Sequence, residues 1–153
     1  MKPVFVQSGI AANRVRGTVR GMHFQFPPAA ETKLVRCSRG ALLDIIVDLR
    51  PESETYLEHV AVELDAGTMR GLYVPDRFAH GYQTLHDDTV ANYDFGAAYA
   101  PSAEGGLPHD DPSLGLTWPL PIVALSARDR SFRPLAVVEH ELKQRMLWEA
   151  VPA

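Results

Sequence analysis

Ala41-Leu42-Leu43-Asp44-Ile45-Ile46-Val47-Asp48-Leu49-Arg50 is the run on which the fold turns. Leu43, Ile45, Val47 and Leu49 form one apolar face, while Asp44, Asp48 and Arg50 point the other way, the period-two pattern of a strand. Gly40 ahead of it marks a turn. Before that turn, Glu31–Cys37 alternates again, with Lys33, Val35 and Cys37 on one face and Leu34 and Arg36 on the other. Residues 57–64, 70–74, 79–85 and 89–95 read as further strands, separated by Asp65-Ala66-Gly67, Pro75-Asp76 and His86-Asp87-Asp88. Upstream, residues 3–8 read as a first short strand and Ala11–Gly17 as a turn.

The next stretch outward carries chemistry. Gly17-Thr18-Val19-Arg20-Gly21-Met22-His23-Phe24-Gln25 has strand formers with Arg, His and Gln among them, and Pro27-Pro28 ends it because proline cannot donate to a ladder. Strict alternation puts Arg20 with Met22 and Phe24, opposite His23 and Gln25. A bulge at Gly21 would bring Arg20 and His23 to one side, a suitable wall for an anionic, polar ligand.

The chain has 153 residues, enough for one domain with a real core, spanning 1–153. Its formal charge of −4 is mixed along the sequence, so neither a nucleic-acid footprint nor a membrane-binding basic patch is present. Cys37 is the single cysteine, which excludes an internal disulfide and a cysteine zinc cluster. The first residues hold no long apolar run, so the expectation is a soluble, cytoplasmic protein. Pro101–Pro121, rich in Gly, Pro, Asp and Ser, reads as a long surface loop carrying Trp118. Residues 137–150 shift to helical spacing, with Val138, Leu142 and Met146 about a turn apart. Many short strands, no βαβ rhythm and one short C-terminal helix predict an all-β jelly-roll barrel or β-sandwich.

Within such a barrel the chemical candidates are Arg20, His23, Gln25, Lys33, Asp44, His80, Tyr93 and Asp129. Each alone has a plainer reading as a solvated charge, a turn cap or a core aromatic. A metal is not expected, because neither His23 nor His80 has a paired histidine two residues away. A serine hydrolase lacks its Gly-x-Ser-x-Gly elbow, Cys37 lacks an evident base, and Gly105-Gly106 lacks the setting of a phosphate loop.

Taken together and in order, several motifs carry a resemblance. They are Arg20-Gly21-Met22-His23-Phe24-Gln25, Lys33-Leu34-Val35-Arg36-Cys37, Asp48-Leu49-Arg50-Pro51, Phe78-Ala79-His80-Gly81-Tyr82-Gln83-Thr84-Leu85, Tyr93 and Tyr99-Ala100-Pro101. Asp110-Asp111-Pro112, Trp118-Pro119 and Leu125-Ser126-Ala127-Arg128-Asp129 complete the set. Over about Gln7 to Pro134 the chain resembles the dTDP-4-dehydrorhamnose 3,5-epimerase family.

The resemblance implies a metal-free cupin jelly roll without cofactor, usually a homodimer, acting on a nucleotide-linked 4-keto-6-deoxy sugar. It implies His23 as the base at carbon 3, carbon 5 or both, and Asp129 as the carboxylate that orients it. Lys33 would stabilise the enolate and Tyr93 would return a proton from the opposite face. Arg20 would pair with the diphosphate, while His80 and Gln25 would contact the sugar. Family members usually carry about forty further residues before the position matching Phe5, a segment in the size range of ordinary extensions. That segment supplies strands exchanged across the dimer and contacts to the base, and the expectation here is a short member without it. Arg77 stands where glycine is common, with the expectation of a reshaped pocket edge. Two other readings accompany the epimerase: a ketoisomerase on a related sugar nucleotide, and a non-catalytic sugar-binding cupin. The joint presence of His23, Lys33, Tyr93 and Asp129 favours catalysis.

Overall fold

A computed structural model describes residues 4–147. Among the described residues, nine strands form two antiparallel sheets. The four-stranded sheet has the order β1 (Gln7–Asn13), β8 (Thr89–Phe95), β3 (Lys33–Arg39), β6 (Gly71–Val74). The five-stranded sheet runs β5 (His59–Asp65), β4 (Ala41–Asp48), β7 (Phe78–Thr84), β2 (Val19–Gln25), β9 (Glu104–Gly106). After them come a single-turn helix, α1 (Ala127–Arg130), and α2 (Leu135–Met146). This is the all-β jelly-roll sandwich the alternation predicts.

Two apolar layers hold it together. Val35, Cys37, Leu42, Ile46, Leu64, Val74, Tyr82 and Ala91 pack between the sheets. Met22, Phe24, Ile45, Val47, Leu49 and Ala79 face the other way and pack under Leu107, Leu114 and α2's Leu135, Leu142 and Met146. Both faces of β4 are therefore buried. Its apolar face meets the helix, and the face bearing Asp44 and Asp48 turns into the sandwich. Each fully buried Leu or Met contributes about 1.5–3 kcal/mol, so α2 is a structural layer.

Three expectations need correction. The first strand is Gln7–Asn13, so residues 11–13 are strand where a turn is expected. The cause is tertiary: β1 pairs with β8 along its whole length, from Gln7↔Phe95 to Asn13↔Thr89, and pairing outranks local composition. Residue 3 of the expected strand lies outside the described residues. The stretch 101–121 is a surface segment only in part: it includes β9, buries Leu107, Asp111 and Leu114, and the Trp118 indole donates to the His109 carbonyl at 2.9 Å. The helix starts earlier than expected, at Leu135 directly after Pro134, and the Asp111 carboxylate accepts its first N–H at 2.6 Å. Of the expected helix 137–150, residues 148–150 lie outside the described residues.

Arg77 occupies the turn between β6 and β7 in a left-handed conformation, φ 60°, which any residue with a Cβ adopts at a cost. Its guanidinium donates to Glu52 and, at 3.2 Å, to the Met146 carbonyl at the end of α2. A cation there complements the helix dipole. The residue expected to reshape a pocket edge is instead tied to the helix.

Candidate active site

The bulge expected at Gly21 is present. β2 pairs with β7 as Arg20↔Tyr82 and then His23↔His80, with the register shift between them. Gly21 has φ 131°, and a Cβ there would sit 2.6 Å from the Gly81 Cα and 2.9 Å from the His80 carbonyl oxygen. Only glycine permits that approach. The extra residue aims His23 into the sandwich while Met22 and Phe24 stay in the outer core.

A cavity of about 220 Å³ opens there, lined by Gln7, His23, Glu31, Lys33, His80, Tyr93, Phe95, Tyr99 and Glu104. The two sheets supply different chemistry. His23 and His80 come from the five-stranded sheet, Lys33 and Tyr93 from the four-stranded one. A groove of about 210 Å³ between β9 and α2 is lined largely by Phe24, Phe26, Phe132, Val138 and Leu142, with Arg133 and Glu141 as its charged groups and no histidine or tyrosine among the described residues.

His23 Nε2 lies 2.7 Å from Asp129 Oδ1. The carboxylate is buried and also accepts the Gly21 N–H at 3.1 Å through Oδ2. α1 sets it there: Ser126 caps that turn by accepting the Asp129 N–H at 2.9 Å. Burial pushes the Asp129 carboxyl up, but the His23 imidazole and the backbone and hydroxyl donors outweigh it and hold it below its ordinary value. With Nε2 committed to Asp129, the Nδ1 lone pair is left for proton abstraction.

His80 is buried and bonded through Nε2 to Asp44, whose second carboxylate oxygen has no hydrogen-bond partner among the described residues. Lys33 is buried and pairs with Glu31 at 3.0 Å. Tyr93 stacks on Phe95 with ring centroids 5.5 Å apart and meets His80 edge-on at 5.9 Å. Burial above all keeps its phenol protonated well beyond the ordinary range. Among the described residues, no three His, Cys, Asp or Glu side chains converge to hold a metal ion.

The structure thus gathers His23, Lys33, His80 and Tyr93 around one cavity and sets Asp129 behind His23. Arg20 stands outside the lining. It is exposed, and its Nε donates to Asn13 Oδ1 at 2.7 Å. Gln25, expected at the sugar, is buried and spent on backbone: its Nε2 donates to the Ala29 and Ala98 carbonyls and its Oε1 accepts the Ala100 N–H. It anchors the loop that carries Tyr99. Sequence reasoning missed Glu31 and Glu104 as lining residues. Glu31 stands two positions before Lys33, a spacing that could have shown it. Glu104 accepts from the Tyr99 hydroxyl at 2.9 Å and pairs with Arg128, links that no local pattern announces. Cys37 is buried between the sheets, with burial raising its thiol pKa, an inert setting.

A family model described as dTDP-4-dehydrorhamnose 3,5-epimerase matches residues 1–136. A dTDP-4-dehydrorhamnose 3,5-epimerase from Sinorhizobium fredii is 46% identical over 127 residues, covering 82% of this chain and 65% of that relative. A crystal structure of the Bacillus anthracis enzyme of that name, with TDP and pyrophosphate bound, superimposes with a TM-score of 0.86 at 37% identity, over 88% of this chain and 77% of that one. A 3,5-epimerase from Legionella pneumophila, in complex with dTDP-4-keto-L-rhamnose, gives 0.88 at 29% identity, over 98% and 78%.

Proposed function

Since this chain belongs to the dTDP-4-dehydrorhamnose 3,5-epimerase family, we propose that it inverts carbon 3, carbon 5 or both of a nucleotide-diphosphate 4-keto-6-deoxy sugar. The observation that carries the reading is the opposition of the two sheets. A base oriented by a buried carboxylate stands on one wall, and a protonated phenol with a lysine beside it stands on the other.

A proton next to a ketone is acidic only when the electrons it leaves find a place. His23 Nδ1 takes that proton, and Asp129 fixes the tautomer and stabilises the imidazolium. The electrons move onto the carbon-4 oxygen, where the Lys33 ammonium stabilises the enolate. The enolate carbon is planar, so a proton delivered from Tyr93 on the opposite wall yields the inverted centre. His80, held by Asp44, lines the sugar space. Arg20, at the open edge next to β1, meets the diphosphate through its terminal nitrogens, a geometry guanidinium suits. No step calls for a metal or a redox cofactor. The working unit is a homodimer, supported by the edge strand β1 with Ile10 exposed and by Val4 and Val6 exposed just before it, edges that proteins cover. A monomer in sedimentation at micromolar concentration would contradict that.

The test is incubation of a thymidine-diphosphate 4-keto-6-deoxyglucose with the protein in D₂O. Epimerisation places deuterium at carbon 3, carbon 5 or both, with inversion at the labelled centre. A ketoisomerase would move the carbonyl to carbon 3, and a binding module would give saturable binding without exchange. Either result would overturn the reading.

A further inference from the structure

We infer that Phe132 is a positioning residue for the proposed base: it closes the back of the cavity behind the His23 imidazole and holds that ring on Asp129. The inference rests on the epimerase reading and adds to it a residue that does not line the cavity. A histidine side chain turns about two bonds, and the hydrogen bond to Asp129 at 2.7 Å fixes only one atom of the ring. The His23 side chain is still 33% exposed. The plane of the ring needs a second contact.

That contact is Phe132. Its ring centroid lies 5.9 Å from that of His23, with the two planes at 75°, the edge-to-face arrangement that aromatic pairs favour. The ring reaches this place because β9 leaves room for it. Gly106 pairs directly with His23 between β2 and β9, and a Cβ on Gly106 would stand 2.1 Å from the Phe132 Cζ and 2.4 Å from each Cε. The residue opposite the base therefore has no side chain, and the phenyl ring takes the space instead. The Arg128 guanidinium lies over the same ring, 5.9 Å from its centroid, a favourable cation–π distance. Arg128 also pairs with Glu104 of the cavity wall.

The segment that carries Phe132 also carries Asp129. α1 delivers the carboxylate, and the turn after it is fixed by Ser131, whose N–H and hydroxyl both donate to the Arg128 carbonyl, at 2.9 and 2.6 Å. Phe132 then comes back against the imidazole that Asp129 grips. One short segment thus sets both an atom of the ring and its plane. On its far side Phe132 lines the groove between β9 and α2. Two rings separate groove from cavity at this point, Phe132 facing the groove and His23 facing the cavity. Without the phenyl ring the imidazole would be free to swing towards the groove, and water entering there would compete for its bond to Asp129. Proton abstraction tolerates little such movement, since a displacement of about 1 Å costs about a hundredfold in rate.

The experiment is a double-mutant cycle of Phe132→Ala and Gly106→Ala, reading deuterium exchange, inversion and KM per folded molecule with thymidine-diphosphate 4-keto-6-deoxyglucose in D₂O. Phe132→Ala should lower kcat for exchange and for inversion together by about ten- to a hundredfold, because proton removal precedes both, with KM nearly unchanged. Phe132→Leu, which keeps apolar bulk behind the imidazole, should recover most of that loss. Gly106→Ala should lower kcat in the same way by displacing the ring. On the Phe132→Ala background it should cost nothing further, since the three atoms nearest its Cβ all belong to Phe132. Should Phe132→Ala fail to fold, Gly106→Ala alone reads the same displacement. Near-normal kcat in the folded variants, a raised KM with kcat intact, or additive losses in the cycle would overturn the inference and leave the epimerase reading standing. Inversion lost with exchange retained would tie Phe132 to the acid instead of the base and overturn it too. Wild-type protein that neither exchanges nor inverts would overturn the epimerase reading and this inference with it.

Discussion

The two faces of the five-stranded sheet are written by the same strands and do opposite work. On the outer face Met22, Phe24, Ile45, Val47 and Ala79 are buried under Leu135, Leu142 and Met146 of α2. On the inner face, the intervening residues include His23 and His80, which line the cavity, and Asp44, buried and bonded to His80. The outer face is apolar. The inner face gives up apolar burial to hold acid–base groups, and it matches charge with partners: His23 with Asp129, His80 with Asp44, and Asp48 with Arg50, Ser53 and Thr55. Away from the cavity the inner face still packs Val35, Leu42, Ile46 and Leu64 between the sheets, and the outer layer adds a second core beneath α2. The difference teaches that stability and chemistry can be separated by a single residue step along a strand.

That separation can be broken from either side. The largest expected effect is on the inner face. His23→Asn should leave the melting temperature nearly unchanged and lower turnover by about 10²–10⁴, the span of general base catalysis. Near-normal turnover in the folded variant would remove the proposed base. On the outer face, Leu142→Ala should cost about 2–5 kcal/mol of stability, read from urea unfolding, with kcat per folded molecule preserved. A fall in kcat without loss of stability would show that α2 does more than cover the sheet.

The alternation of β2, β3, β4, β7 and β8 was legible because a period of two needs only neighbouring residues. So was the bulge at Gly21, since a glycine inside a strand bearing Arg and His invites one. The ordered motifs made His23, Lys33, His80, Tyr93 and Asp129 candidates, and the fold brings them together. What was not legible depends on distant partners. β1 extends through Asn13 because β8 pairs with it. The 101–121 stretch looks like solvent loop by composition, yet Leu107 and Leu114 close the outer layer. Gln25 reads as a ligand contact, and only the fold brings the Ala98 and Ala100 backbone to its amide. Glu31 and Glu104 run against the expectation of an anionic ligand until their cations, Lys33 and Arg128, are seen beside them.

A smaller and more gradual effect should appear in acid. Asp129 and Asp48 both titrate below their ordinary range in the folded protein. In each, burial pushes upward and is outweighed, by the His23 contact and backbone for Asp129 and by Arg50, Thr55 and Ser53 for Asp48. Depressed carboxyls contribute stability that is present above the unfolded-state value, about 3.9, and lost as pH falls through the folded one. The unfolded chain binds more protons in that window, so stability should rise with pH there. Urea midpoints should hold between about pH 6 and about pH 5 and then fall towards about pH 3, and Asp48→Asn should flatten that fall. A midpoint independent of pH would deny that these carboxylates are held in their charged form.

The central claim is that base and acid stand on opposite walls, and Tyr93→Phe in D₂O tests it most directly. The substitution removes the acid and leaves His23, Asp129 and Lys33 in place. His23 can still take the proton next to the ketone and return deuterium to the same face. The account predicts continued exchange of label with inversion lowered by about 10²–10⁴. Loss of exchange and inversion together, in a folded Tyr93→Phe protein that still binds the sugar nucleotide, would contradict it.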